Sequence, residues 1–139
     1  MMIVKKSLFL ALMVFLGVSV AAAAEKGGQA TTTGPTVVSE AKFPITLGNS
    51  EYDLLTRVID FPAGTGNPNH KHGGHVLVIV LSGEMTLREK GTEKIVKAGE
   101  SWTENPGNVH AVVNAGPVTA RVVASFLIPK GAEITTPVK

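Results

Sequence analysis

The sequence of 139 residues contains no cysteine. That absence excludes a structural disulfide, a thiolate metal site, a catalytic thiol and a lipid-modified N-terminal cysteine. Net charge is nearly absent as well, with 13 Lys plus Arg against 11 Asp plus Glu. Residues 1–24 hold Lys5 and Lys6 and no acid, so the remainder carries 11 bases and 11 acids and is formally neutral. Such a chain lacks the basic footprint that phosphate backbones require, which argues against nucleic acid as a partner. Beyond the N-terminal stretch no apolar run has the length and spacing of a helix. A chain of this size normally makes one domain and can bury roughly 60–70% of its unfolded surface. The fold must then be stabilised by its apolar core, with a metal or subunit contacts as the available additions.

What is present first is an address label. Lys5 and Lys6 precede an apolar run from Leu8 to Val20, and Ala22, Ala23 and Ala24 end it just before Glu25. A positive start, an apolar middle and a small-residue end are the marks of a secretory signal peptide, with cleavage expected after Ala24. The stretch from Leu8 to Ala24 is shorter than the ~20 residues that span a bilayer, so no stable membrane anchor is expected. Export to the periplasm or the medium follows. Residues 25–36, rich in Gly, Ala and Thr, are expected to be a flexible leader, and 37–139 the folded domain.

That domain is expected to be all-β. Short apolar and β-branched runs are punctuated by Gly, Pro and Asn: Leu54 to Phe61, Val76 to Leu81, Met85 to Arg88, Thr92 to Val96, Val109 to Asn114 and Val118 to Ile128. In the last of these Val118, Ala120, Val122, Ala124, Phe126 and Ile128 alternate with residues that include Thr119, Arg121 and Ser125. Period two over such a length means a strand with one buried face. Val76 to Leu81 is apolar on both faces, which places it centrally, with its second face covered by another sheet or subunit. Ser82-Gly83-Glu84 reads as a hairpin turn into Met85. Many short strands at this spacing indicate a sandwich or barrel.

All four histidines, His70, His72, His75 and His110, fall in two places. On a strand, residues i and i+2 share a side, so His70 and His72 can aim two imidazoles at one point. A third from a distant strand completes a set of nitrogen ligands suited to Zn, Cu, Fe or Ni. Taken alone, the pair is equally an exposed polar edge.

The surroundings decide between these. Gly64, five residues, His70-Lys71-His72 and later Gly83 resemble the first motif of the cupin superfamily. Gly99, five residues, Asn105, Gly107, two residues, His110, three residues and Asn114 resemble the second. The chain looks most like small exported single-domain cupins (cupin type 2 conserved barrel), over roughly Arg57 to Ile128. The resemblance implies a six-stranded jelly-roll β-barrel, a divalent metal (Fe, Mn, Zn, Ni or Cu) held by His70, His72 and His110, and a homodimer. Two departures stand out. The Glu ligand of the first motif, with six residues between it and the closing Gly, is here Val76. His75 lies one residue earlier, and only a bulge at Gly73-Gly74 would turn it inward as a fourth ligand; otherwise it is a rim or substrate-facing group. Asn105 occupies the place of the second motif's Pro, and Pro106 follows it.

Three neutral imidazoles would leave a divalent ion its full charge, which favours anionic or chelating oxygen ligands. The expectation is a metal-dependent enzyme, dioxygenase-like or a lyase or isomerase, acting on a small oxygen-rich or chelating molecule. The alternative is a non-catalytic module that holds a metal or small ligand in the periplasm. Glu104, with Glu100 before it, is the best acid for general acid–base work, and equally a solvated loop carboxylate; His75 is the second catalytic candidate. Trp102 and Phe126 are core or cavity lining, Lys71 points to solvent, and Asp60 reads as a turn residue. Gly64-Thr65-Gly66 lacks a following Lys and helix and is no phosphate loop.

Overall fold

Strands, whose successive side chains point to opposite faces, are the regular elements of the described residues. In the computed structural model, which describes residues 33–139, they are β1 (Thr36–Leu47), β2 (Ser50–Phe61), β3 (Gly66–Lys71), β4 (His75–Ser82), β5 (Glu84–Glu89), β6 (Thr92–Lys97), β7 (Ser101–Glu104), β8 (His110–Val113), β9 (Ala120–Pro129) and β10 (Thr136–Pro137). The signal peptide and most of the leader expected from the sequence lie outside the described residues. Among the described residues there is no helix. Two antiparallel five-stranded sheets, ordered β1-β2-β9-β4-β7 and β10-β3-β8-β5-β6, make a single all-β jelly-roll domain. The described residues form ten strands where the resemblance implies six, and β1 and the short β10 lie at the edges of the two sheets.

β9 shows how the pattern becomes packing. Ala120, Val122, Ala124, Phe126 and Ile128 are buried, and β9 lies between β2 and β4 in the middle of its sheet. Val76, Val78 and Val80 of β4 join them on the inner face, with Met85, Leu87, Val96 and Val112 coming from the opposite sheet. The outer face of β4 is uncovered: Leu77, Ile79 and Leu81 are exposed.

Two expectations are corrected here. Ser82-Gly83-Glu84 is no hairpin, because β4 pairs with β7 and β9 while β5 pairs with β6 and β8. The chain turns a corner there between the two sheets. Gly83 has φ +71°, and a Cβ on it would lie 2.9 Å from Ala120 Cα, so a glycine is required by both conformation and space. Polar-Gly-polar spacing looks the same for a corner as for a hairpin. Asp60 is likewise no turn residue; it sits in β2 and receives both Arg121 Nε and Nη2, at 2.7 and 2.8 Å, from the facing position of β9.

Candidate metal centre

The β3–β8 ladder sets His70 directly opposite His110. His72, just beyond the end of β3, returns to the side of His70 by the two-residue repeat of extended chain. All three are buried, and one ring nitrogen from each lies within 4.8 Å of those from the others. The ring centres are 4.3 Å apart for His70 and His110, 4.9 Å for His70 and His72, and 5.2 Å for His72 and His110.

Backbone carbonyls fix the tautomer of each ring. His70 Nδ1 lies 2.7 Å from Pro68 O, His72 Nδ1 2.7 Å from Ile134 O, and His110 Nδ1 3.2 Å from Asn108 O. A carbonyl oxygen only accepts, so each Nδ1 carries the proton and donates it. Each neutral ring therefore has its lone pair at Nε2, the arrangement by which second partners orient metal-binding histidines.

Glu104 enters the same space from β7, opposite Val76 in the β4–β7 ladder. Its Oε1 accepts the Trp102 Nε1–H at 2.7 Å. Oε1 is also 3.1 Å from His110 Nε2, and Oε2 is 3.1 Å from His72 Nε2. Both Glu104 Oε2 and His110 Nε2 are nevertheless buried without a hydrogen-bond partner, since with the ring protons at Nδ1 neither side of these contacts has a hydrogen to give. An unpaired buried polar atom costs about 1–3 kcal/mol, more when charged. Bare lone pairs facing a carboxylate call for a cation between them, and the donor set of imidazole nitrogens suits a divalent ion.

The electrostatics follow from this crowding. Burial alone would raise Glu104, but His110, His72 and the Trp102 N–H outweigh it and hold the carboxyl at about 2. Burial alone would lower His110; Glu104, with help from Asn108 O and Glu89, raises it above the ordinary value. In His70 burial wins over the Pro68 carbonyl, and its pKa falls below the ordinary value.

His75 lies apart from this group. It begins β4 exposed, on the outer face with Leu54, Leu77 and Leu127 around it, while Val76 takes the inward position. The two glycines before it serve close backbone approach and do not turn His75 inward. A Cβ on Gly74 would sit 2.0 Å from Leu127 O, and one on Gly73 would sit 2.5 Å from Glu133 O. Glu100 stays at the surface, where its carboxylate accepts the Lys97 N–H at 2.8 Å. Glu104, which the sequence left open between a loop carboxylate and a pocket acid, is buried at 8% exposure.

A cavity offering about 80 Å³ to the centres of water-sized molecules opens on His70, His72 and Glu104. A single water needs roughly 10–15 Å³ by that measure, so the space suits a molecule of a few heavy atoms. Trp102 and Phe126 line it and belong to the core as well. Arg57, Asn67 and Thr135 also line it, and none of them was singled out from the sequence. For Arg57 a signal existed: period two along β2 puts it on the face of Leu55, Ile59 and Phe61. Its guanidinium carbon stands 5.8 Å from the Phe126 ring centre, and its Nε donates to Glu40 Oε2 at 2.7 Å. The segment after β9 carried no such signal, yet it provides Ile134 O and Thr135 to His72 and pairs β10 with His70 and Lys71.

Comparison with known proteins agrees with this architecture. Oxalate oxidase 2 from Hordeum vulgare is 27% identical over 110 residues, which cover 73% of this chain and 49% of that protein. The chain thus spans about half the length of the curated relative it matches. A conserved protein with a double-stranded β-helix domain from Klebsiella pneumoniae superposes with a TM-score of 0.54 at 22% identity, covering 76% of this chain and 84% of that one. A recombinant oxalate oxidase in complex with glycolate superposes with a TM-score of 0.57 at 22% identity, covering 81% of this chain and 59% of that one. These two likenesses speak for the fold. The signature of the Cupin domain family matches residues 57–126, the stretch that carries β3, β4, β7 and β8 with all three buried histidines, and the chain belongs to the cupin family.

Proposed function

We propose that this cupin is an exported metal-dependent enzyme whose centre, held by His70, His72 and His110, acts on a small carboxylate. The observation that carries the reading is the convergence of three buried imidazoles, each with Nδ1 committed to a carbonyl, two of which, His70 and His72, line a small cavity. When bound there, a divalent ion supplies Lewis acidity toward the oxygen atoms of a small anion. The chain's own residues do the rest of the selection. Arg57 is the one cationic side chain among the described residues that line the cavity, and a guanidinium matches a carboxylate with two parallel donors. The apolar walls, among them Phe61, Val78 and Met85, exclude bulk water and strengthen that attraction. The relative from Hordeum vulgare is named for oxidising oxalate, the smallest dicarboxylate, which supports the size and charge class.

Calorimetry with metal-loaded protein tests this directly. Oxalate should bind, and Arg57→Ala should weaken it about 10–100-fold, the worth of a charge-assisted contact of roughly 1.5–3 kcal/mol. Oxalate consumption and oxygen uptake, followed together, then separate oxidation from lyase chemistry. If small mono- and dicarboxylates leave heat, melting and metal spectrum unchanged, the substrate class is wrong. A second reading, a non-catalytic binding module, draws on the position of His75: with His75 outside, Glu104 is the one carboxylate among the described residues lining the cavity. Tight carboxylate binding without turnover would select it.

Assembly belongs to the same proposal. Leu77, Ile79 and Leu81 form an exposed apolar row on β4, and Phe43 of β1 is exposed in the same sheet. Sedimentation at micromolar concentration should show a homodimer, and Ile79→Lys should convert it to monomer. A wild-type monomer would reject this.

A further inference from the structure

We infer that Glu104 is itself a metal ligand, the fourth protein donor of the centre, rather than a free acid or base. The inference rests on the three-histidine metal reading above and adds to it. Glu104 is buried, and its Oε2 has no hydrogen-bond partner although His72 Nε2 stands 3.1 Å away. Oε1 stands at the same 3.1 Å from His110 Nε2, which is also without a partner. Two donors bound to one ion at about 2.1 Å and at right angles are about 3.0 Å apart. The carboxylate thus keeps ligand-to-ligand spacing from two of the histidines, with no hydrogen on either side to make a bond of the contact. Here Oε1 is already committed to the Trp102 N–H at 2.7 Å, which fixes the carboxylate as second partners fix metal ligands.

The ladder explains how a carboxylate arrives there. Val76 and Glu104 are facing residues on β4 and β7, both inward and both lining the cavity. Two facing positions on one side of an antiparallel pair place their Cβ atoms about 4.5–5.5 Å apart, so a longer side chain from either reaches the same point. A valine at 76 leaves room for the glutamate at 104. Charge changes with it: the carboxylate lowers the net charge of a divalent centre from +2 to +1, which softens its pull on anions and leaves Arg57 to hold them.

The test titrates Mn²⁺ into metal-free wild type, Glu104→Gln, His72→Ala and the exchange variant Val76→Glu/Glu104→Val. Calorimetry gives affinity, elemental analysis gives stoichiometry, and emission of Trp102, the chain's single tryptophan, reports the site optically. Glu104→Gln should bind at least about 100-fold more weakly, because an amide oxygen is neutral and a poorer ligand. The exchange variant should recover to within about tenfold of wild type. If Glu104→Gln holds Mn²⁺ with wild-type affinity while His72→Ala loses it, the three-histidine centre stands and the role of Glu104 is overturned. If neither variant differs from wild type, or wild type holds no ion, both readings fall. Should Glu104→Gln fail to fold, Glu104→Val and the exchange variant decide: tighter Mn²⁺ binding by the exchange variant than by Glu104→Val supports the assignment, and equal binding overturns it.

Discussion

His70→Ala, His72→Ala and His110→Ala should each abolish stoichiometric metal. A structural-type divalent site in a small domain is worth about 10–16 kcal/mol over some four ligands, so losing one costs about 3–4 kcal/mol, two to three powers of ten in affinity. His75→Ala should leave the ion in place, because that side chain lies on the outer face. Metal that binds only the folded state adds stability. At a thousand times its dissociation constant it contributes about 4 kcal/mol, roughly 15–30 °C in Tm for a domain near 100 residues, and a chelator should reverse the gain. Acid should reverse it as well, since a ligand nitrogen must be unprotonated. In the metal-free site Glu104 raises the pKa of His110 and burial lowers that of His70, so as pH falls His110 takes its proton before His70 does. Affinity should therefore decline as pH drops below neutrality. If wild type carries no metal and His72→Ala melts at the same temperature, there is no metal site, and the cavity is a plain binding pocket.

The sequence made the inner faces legible because burial there is periodic. The five alternating residues of β9 could be read as a strand from their spacing alone, and β4, apolar on both faces, from a short β-branched run ended by Ser82-Gly83. His70, His72 and His110 were legible for a related reason: period two aligns the first pair, and the glycine spacing of the second motif supplies the third. Glu104 was legible as a residue and not as a neighbour. Its meaning comes from the pairing of β7 with β4, a contact of high sequence separation that no local pattern encodes. His75 failed as a candidate ligand for the converse reason. Glycines before it suggested a bulge, while their actual constraint is the approach of Leu127 O and Glu133 O, which belong to a segment more than fifty residues away. Ile134 was silent because a carbonyl acceptor can come from any residue type.

Joining the same strands is Asn114, and Asn114→Ala should be among the most damaging single changes outside the metal set. The side chain is fully buried at 0% exposure. Its Nδ2 donates to Phe61 O at 2.8 Å and to Val118 O at 2.7 Å, and its Oδ1 accepts the Gly116 N–H at 3.0 Å. The backbone adds two bonds to the loop before β3: Asn114 N–H donates to Thr65 O, and Gly64 N–H donates to Asn114 O, both at 2.8 Å. One residue thus ties the ends of β2 and β8 to the loops entering β3 and β9. Alanine keeps the backbone bonds and strips three backbone groups of their partners, Phe61 O buried and Val118 O and Gly116 N–H part-buried, at about 1–3 kcal/mol each where water cannot reach them. A net loss of about 3–5 kcal/mol is expected, lowering Tm by roughly 15–30 °C. Asn114→Asp should fare no better, since a carboxylate would face two carbonyl oxygens with no proton to give. Because the histidines keep their own carbonyl partners, the folded fraction of Asn114→Ala should still bind one ion, and saturating metal should restore part of the lost Tm. Denaturant melts with and without metal measure both quantities. A loss under about 1 kcal/mol would show that the loops are held by other contacts, and loss of the ion from folded Asn114→Ala would show that this junction also sets the spacing of His70 and His110.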